Sequence, residues 1–233
     1  TNTDGSIITS VRANQTAGFS IVTGTGSSSA AKTCGHGLSA EPHFIVVKLR
    51  VTAGNGNDQD WQVYHKDLGN TKGLQLNLTD SVETTSSLWN NTAPTSSVFS
   101  IGASTRYDGN FVAYCFAPVA GYSAMGSYTG NGSTDGPFVY TGFRVAWLMV
   151  KNVTTSGEPW TIYDSARDPY NLATHRLRPD SSGAEESGTA PRDKDLLSNG
   201  FKVKGTSGEQ NTDGDTYIYA AFAYHPFQNS RAR

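Results

Sequence analysis

The residues able to do chemistry in this chain of 233 amino acids are few and scattered. Nucleophilic hydrolysis needs a serine or cysteine, a base within reach and a group that orients the base. The five histidines are His36, His43, His65, His175 and His225; none lies in a G-x-S-x-G turn or an H-E-x-x-H helix, and neither string occurs. His36 stands between glycines in Cys34-Gly35-His36-Gly37 and reads as a turn residue with a locally hydrogen-bonded imidazole. Glycoside hydrolysis needs two carboxylates at a defined separation. Asp58, Asp60, Glu83, Asp164, Asp168, Glu185 and Glu186 are available, and nothing in their spacing singles out a pair. The stretches 55–60 and 211–215 hold several oxygen donors each but do not fit the calcium loop with its closing Glu, so they read as solvated turns. No cofactor is expected, and structural calcium has no motif behind it. Gly24-Thr25-Gly26 lacks the Lys-Ser/Thr that completes a phosphate loop. Cys34 and Cys115 have no C-x-x-C spacing and sit beside strand-like apolar sequence, which reads as two buried thiols. Asn-x-Ser/Thr sequons at Asn14, Asn77, Asn90, Asn131 and Asn152 follow from a composition rich in those residues.

Composition narrows the class. The net charge is −2, from 18 Lys plus Arg against 20 Asp plus Glu, with no basic cluster to neutralise phosphates. That argues against a nucleic-acid partner. Charged residues make up 16%, below the roughly 25% of an ordinary soluble protein. Polarity comes instead from 51 Ser plus Thr, 15 Asn and 25 Gly. No apolar run approaches the ~18–20 residues of a membrane-spanning helix. The chain opens at Thr1 without a charged and apolar leader, so no signal peptide is expected and the sequence reads as a piece of something longer.

Those side chains must be positioned by strands. Apolar residues recur at period 2 or in short runs between Gly, Asn, Asp and Ser clusters. The candidates are Gly18–Thr23, Phe44–Arg50, Trp61–His65, Leu74–Leu78, Val98–Ile101, Phe111–Phe116, Phe143–Lys151, Trp160–Tyr163, Phe201–Lys204 and Thr216–Phe222. Asn55-Gly56, Asp108-Gly109, Asn131-Gly132, Asp135-Gly136, Asn199-Gly200 and Asp213-Gly214 supply turn chemistry, with glycine expected at positive φ.

The chain also resembles itself at a period of roughly 100 residues. Val46-Val47-Lys48 matches Met149-Val150-Lys151, and Trp61-Gln62-Val63-Tyr64 matches Trp160-Thr161-Ile162-Tyr163. Thr92-Ala93-Pro94 matches Thr189-Ala190-Pro191, Val98–Ser104 lines up with Phe201–Ser207, and Phe111–Ala117 with Tyr217–Ala223. This predicts an all-β protein of two tandem antiparallel β-sandwich or jelly-roll-like domains: a lead over 1–17, repeats over 18–119 and 120–227, and a tail over 228–233. Residues common to both repeats are expected to pack, and a site built once should use residues that differ between them.

Several segments resemble a repeat unit of tailed-bacteriophage structural proteins: Gly18–Thr23, Gly35-His36-Gly37-Leu38-x-x-Glu41-Pro42, Phe44–Lys48, Trp61–Lys66, Trp89–Thr95 and Phe111–Ala117. The closing stretch from Gly214 through Pro226-Phe227 to Arg233 and the lead Thr3–Asn14 are similar to the corresponding parts of tail-fibre and appendage proteins, especially of marine phages. The second repeat departs from the pattern, with Phe138–Thr141 in place of Gly-His-Gly-Leu and Asp164-Ser165 in place of His65-Lys66. The resemblance implies a non-catalytic virion structural protein, the C-terminal region of a fibre or appendage, located on the particle surface. It implies partnership with other virion proteins and with itself as a homotrimer, contact with a host-surface glycan, and no nucleic acid or membrane insertion. It brings no catalytic residues. A capsid decoration or head-fibre protein, a polysaccharide-degrading tailspike and a free lectin are the other readings. The candidate glycan-contacting residues are those found in one repeat only: Trp89 with Asn90 and Asn91, Tyr107 with Asp108, and Tyr170 with Asn171.

Overall fold

Alternation decides which side of each strand is buried. In Gly109–Phe116, Phe111, Ala113 and Cys115 are buried while Val112, Tyr114 and Phe116 are half-exposed, the period of a strand with one face on a core. The computed structural model describes residues 1–52, 60–188 and 191–225. The Asn55-Gly56 turn, most of the 55–60 stretch, the Thr189-Ala190 part of a repeat match and the 228–233 tail lie outside the described residues. The described chain is all-β and antiparallel, in two compact units: residues 1–76 with 82–118, and residues 77–81 with 119–233. No helix among the described residues is long and apolar enough to cross a membrane.

The first unit contains β1 (Ser10–Asn14), β2 (Phe19–Thr25), β3 (Lys32–Gly35), β4 (Phe44–Thr52), β5 (Gln62–His65), β6 (Lys72–Gln75), β7 (Glu83–Thr84), β8 (Val98–Ile101) and β9 (Gly109–Phe116). Seven strands form one sheet in the order β1-β2-β9-β4-β5-β6-β7, and β3 pairs with β8 in a second. Ile45 and Val47 of β4, Phe111 and Ala113 of β9 and Tyr64 of β5 face Cys34, Phe99 and Ile101 of the small sheet, so the core lies between the two layers. Both cysteines are free thiols in that core, and burial raises the Cys34 pKa to about 12 and the Cys115 pKa further. Neither is ionised, and so neither is nucleophilic, near neutral pH.

The lead 1–17, expected as a linker, is part of this unit. Residues Ser10 to Asn14 pair with Thr23 to Phe19. Upstream, Ile7 bridges Cys34 in parallel, its amide donating to the Thr33 carbonyl. An edge strand exposed along nearly its whole length carries no apolar alternation; its position comes from backbone pairing, which sequence pattern does not display.

The second unit contains β10 (Ser123–Thr129), β11 (Phe138–Tyr140), β12 (Val145–Asn152), β13 (Thr161–Asp164), β14 (Lys194–Leu197), β15 (Gly200–Val203) and β16 (Thr216–Ala223). One sheet runs β10-β16-β12-β13 and the other β11-β15-β14. Leu148, Val150, Tyr217, Tyr219 and Ala221 of the first meet Val139, Leu196, Phe201 and Val203 of the second. Tyr128 stacks on Tyr217 at 5.0 Å, and its buried hydroxyl donates to the Gln210 carbonyl at 2.8 Å. A buried Tyr needs such a partner to avoid stranding a polar group.

Candidate functional site

The first unit turns its predicted site residues inward. Trp89 is 1% exposed, packs edge-on against Tyr64 and donates its indole N–H to the Lys72 carbonyl at 3.1 Å. Tyr107 is fully buried beside it. Both are core residues, which corrects the expectation that they offer rings to a ligand: a loop between strands must still bury its large apolar groups. Asn90 and Asn91 are exposed with left-handed backbones, φ 50° and 49°, the conformation Asn tolerates better than most side chains. Asp108 accepts hydrogen bonds from the Ser28 amide and hydroxyl and so ties two loops together. His36 is buried; its Nε2 meets the Thr95 carbonyl at 3.1 Å and its Nδ1 accepts the Leu38 amide, making it a staple of its own turn.

The second unit turns aromatics outward. Strand β11 alternates with Val139 in the core and Phe138 and Tyr140 exposed, at 48% and 65%. Its register places Phe138 beside Lys202, and Lys202 beside Asp195, across the three strands. The next row is Tyr140, Gly200 and Leu197. Gly200 is not a positive-φ turn residue, as expected from Asn199-Gly200; it is glycine because a Cβ there would collide with the Val139 carbonyl. Lys202 is held in place by Asp135 at 2.8 Å and by the Gly136 carbonyl at 3.0 Å, and its N–H group keeps the exposed Asp135 carboxyl below the usual carboxylate range.

The far side of this small sheet carries the remaining predicted residues. Asn171 accepts the Leu196 amide at 2.9 Å and donates to the Leu196 carbonyl at 3.2 Å, acting as a strand-like neighbour of β14. Two residues on, Ala173 bridges Lys194. These pairings hold out Tyr170, 84% exposed, and Leu172, 39% exposed. Tyr170 and Asn171 line a small, shallow cleft with Arg144, Ser165, Asp168 and Leu196. Thus four of the seven exposed large apolar side chains among the described residues, Phe138, Tyr140, Tyr170 and Leu172, lie on or beside one three-stranded sheet. Phe138, Tyr140 and Leu172 were not singled out from sequence, although Phe138–Thr141 is where the second repeat departs from the first.

Asp168, its side chain largely covered, and the more exposed His175 form an acid–base couple at the cleft. The His175 Nδ1 lies 2.7 Å from Asp168, which also accepts the Thr174 and His175 amides. Burial pushes the Asp168 pKa up, and those hydrogen bonds outweigh it, leaving a net decrease; the same contact raises the pKa of His175. The Thr174 hydroxyl also reaches the His175 ring, 3.5 Å from the same Nδ1 that meets Asp168.

Behind β14 lies a denser set of charges. Glu209, 5% exposed, meets Arg178 at 2.7 Å and Arg192 at 3.2 Å, and Arg176 pairs with Glu186. The Lys194 ammonium is fully buried, bonded to the Gln210 amide oxygen and 4.3 Å from the Tyr163 ring centre; burial lowers its pKa to about 7. Lys151 donates to the Asn152 and Glu158 carbonyls at 2.7 and 2.8 Å, and burial lowers its pKa to about 8. Clustered perturbed groups can mark a functional site, but here the two lysines are buried and bonded to uncharged oxygens of the protein itself. The alternation of β14 directs Lys194 inward and Asp195 outward, so this cluster backs the aromatic face from inside. No group of three or more His, Cys, Asp or Glu side chains able to hold a metal occurs among the described residues.

The chain belongs to the DUF7483 family, a domain of unknown function, whose profile matches residues 1–226 and so runs through both units. No curated protein and no solved structure matches it.

Proposed function

We propose that this protein is a non-catalytic structural component of a bacteriophage particle, from the C-terminal region of a tail fibre or appendage, and that it contacts host-surface carbohydrate through the outer face of β11-β15-β14. The observation that carries the binding reading is the gathering of Phe138, Tyr140, Leu172 and Tyr170 on or beside that sheet, next to Lys202 and Asp195. An aromatic ring held flat on a rigid sheet stacks on the C–H face of a sugar, and donors and acceptors one strand away, about 4.8 Å, meet its hydroxyls. A contiguous exposed apolar area of this kind marks an interaction site. The resemblance to phage appendage proteins and the weakly charged Ser/Thr/Asn-rich surface support the setting, in which a homotrimer is the expected assembly. The internal sequence repeat supports reading the two units as copies of one element, of which only the second is specialised for contact.

The test is binding of purified bacterial surface polysaccharides, lipopolysaccharide O-chains and capsules in an immobilised array, to the wild type and to Phe138→Ala/Tyr140→Ala. The double variant keeps Val139 and the core, so its thermal transition should stay in place while binding falls at least tenfold. Undiminished binding by a folded double variant would sink the assignment of the face. Release of reducing sugar from a bound polysaccharide would sink the non-catalytic reading.

A further inference from the structure

The three residues of β11 leave one side of the sheet unpaired among the described residues. Towards β15 the bonds are made by the odd-numbered positions: the Val203 amide donates to Pro137, and the Thr141 amide to Asn199. The amides and carbonyls of Phe138 and Tyr140 therefore point along the sheet plane, away from β15. The first unit shows what this kind of edge accepts. On β3 the His36 amide bonds across to Ser97, so the backbone groups of Thr33 and Gly35 are the ones that face outward. There they are covered by the protein's own lead: the Ile7 amide donates to Thr33, the Ser6 hydroxyl accepts the Thr33 amide, and the Thr9 hydroxyl donates to the Gly35 carbonyl.

We infer that the open edge of β11 pairs antiparallel with β11 of a second copy of this chain. An exposed edge strand with no internal charge or proline is a template for strand addition, and Phe138-Val139-Tyr140 has neither. Two-fold pairing about Val139 sets Phe138 opposite the second copy's Tyr140, and the reverse, giving two cross-strand aromatic pairs. Directly opposed residues in such a pair project from the same face of the sheet. The aromatic faces of the two copies would then join into one six-stranded platform, which would strengthen binding to a repeating polysaccharide by multivalency. The pairing itself rests only on the edge and stands whether or not the face binds sugar. It is a two-fold contact, additional to any three-fold one: a trimer that also pairs through β11 contains six copies.

Light scattering across a concentration series tests it with two variants at one position. Tyr140→Pro deletes the ring together with an outward-facing amide, and Tyr140→Ala deletes the ring but keeps that amide, so the difference between the two variants reports the amide. The wild type should contain an even number of copies, Tyr140→Pro should halve that mass, and Tyr140→Ala should still pair. Because a proline variant can misfold, amide exchange of the wild type supplies an independent reading: the Phe138 and Tyr140 amides should become protected as concentration rises. A wild type that stays monomeric, a mass unchanged in a folded Tyr140→Pro, or Phe138 and Tyr140 amides that exchange freely at every concentration would each overturn the inference. Loss of carbohydrate binding in Tyr140→Ala with pairing intact would separate the two uses of the strand.

Discussion

The two units run the same course and finish differently. In the first, β2, β9, β4 and β5 lie side by side; in the second, β10, β16, β12 and β13 do. Positions that the sequence repeat equates hold equal places in the ladders: Val46 pairs with Tyr114 and Val63, Met149 with Ala220 and Ile162. The difference lies in the connection that follows β5 or β13. In the first unit it carries β6 and β7 and then buries Trp89. In the second, the described residues between 165 and 193 form isolated bridges only, expose Tyr170 and Leu172, and bring Arg176, Arg178 and Arg192 to Glu209. The small sheets differ in the same sense, with β3 covered by the lead and β11 open among the described residues. One framework can thus be sealed by its own loops or left with an aromatic face, and the choice sits in segments outside the shared strands.

The sharpest way to break this contrast is to delete one aromatic from each connection. Trp89→Ala removes a buried ring and strands the Lys72 carbonyl that it satisfies, and should cost about 3–5 kcal/mol of stability. Tyr170→Ala removes a ring that packs on little and should stay within about 0.5 kcal/mol. Urea denaturation followed by fluorescence measures both. Comparable losses would mean that Tyr170 is as much a packing residue as Trp89, and the difference between the connections would disappear.

The next effect concerns charge. The repeat equates Lys48 with Lys151, yet Lys48 is half-exposed, its ammonium 6.0 Å from the Trp61 ring centre, while Lys151 is fully buried among carbonyls. Lys194, deeper still, has its pKa lowered to about 7 by burial. For such a group the unfolded chain binds more protons than the folded one between that pKa and the ordinary lysine value. Stability must therefore rise with pH across roughly 7 to 10, on the order of a few kcal/mol for a shift of this size. Lys194→Met, which replaces the buried ammonium with an apolar chain of similar reach, should flatten that rise and hold or increase stability at pH 7. A pH–stability curve identical to that of the wild type would mean that Lys194 keeps its proton in the fold.

Ten strands were legible as short apolar runs between turn residues: each of the ten expected segments overlaps one, Leu74–Leu78 by only two residues. Strands β1, β3, β7, β10, β11 and β14 were not legible. β1 and β7 are largely exposed, and β14 hides a lysine where a pattern reader expects an apolar residue. The Val98–Phe201 alignment is off by one, because burial equates Phe99 with Phe201 and Ile101 with Val203. For the site, Tyr170 and Asn171 were visible as a local aromatic–amide pair, and Trp89 and Tyr107 looked the same. Only the fold separates a ring that closes a core from one that stands on a surface. Phe138 and Tyr140 carried a signal in their departure from Gly-His-Gly-Leu, but single-residue types do not say which face of a three-residue strand is wet.

The smallest expected effect asks how firmly the second unit's connection is held. Thr174 and His175 donate their amides to Asp168, and the His175 ring adds a third bond; the segment carrying Tyr170–Ala173 lies between. Because His175 has a raised pKa, its contribution is fully present below the unfolded histidine value, about 6.5, and is lost as pH rises through the higher folded value. Asp168 has a lowered pKa, so its share is present above the unfolded carboxylate value, about 3.9, and is lost as pH falls through the lower folded one. Between those limits both partners are charged. Above them the carboxylate still holds the two amides, so the loop should loosen only slightly. Titration of the His175 ring by NMR should give a value above 6.5 that falls in Asp168→Asn, with the amide shifts of Tyr170 and Asn171 moving through the same midpoint. A wild-type value at or below 6.5, or amides of Tyr170 and Asn171 that ignore the titration, would show that the exposed aromatic is positioned without this couple, through Asn171 and the backbone of β14 alone.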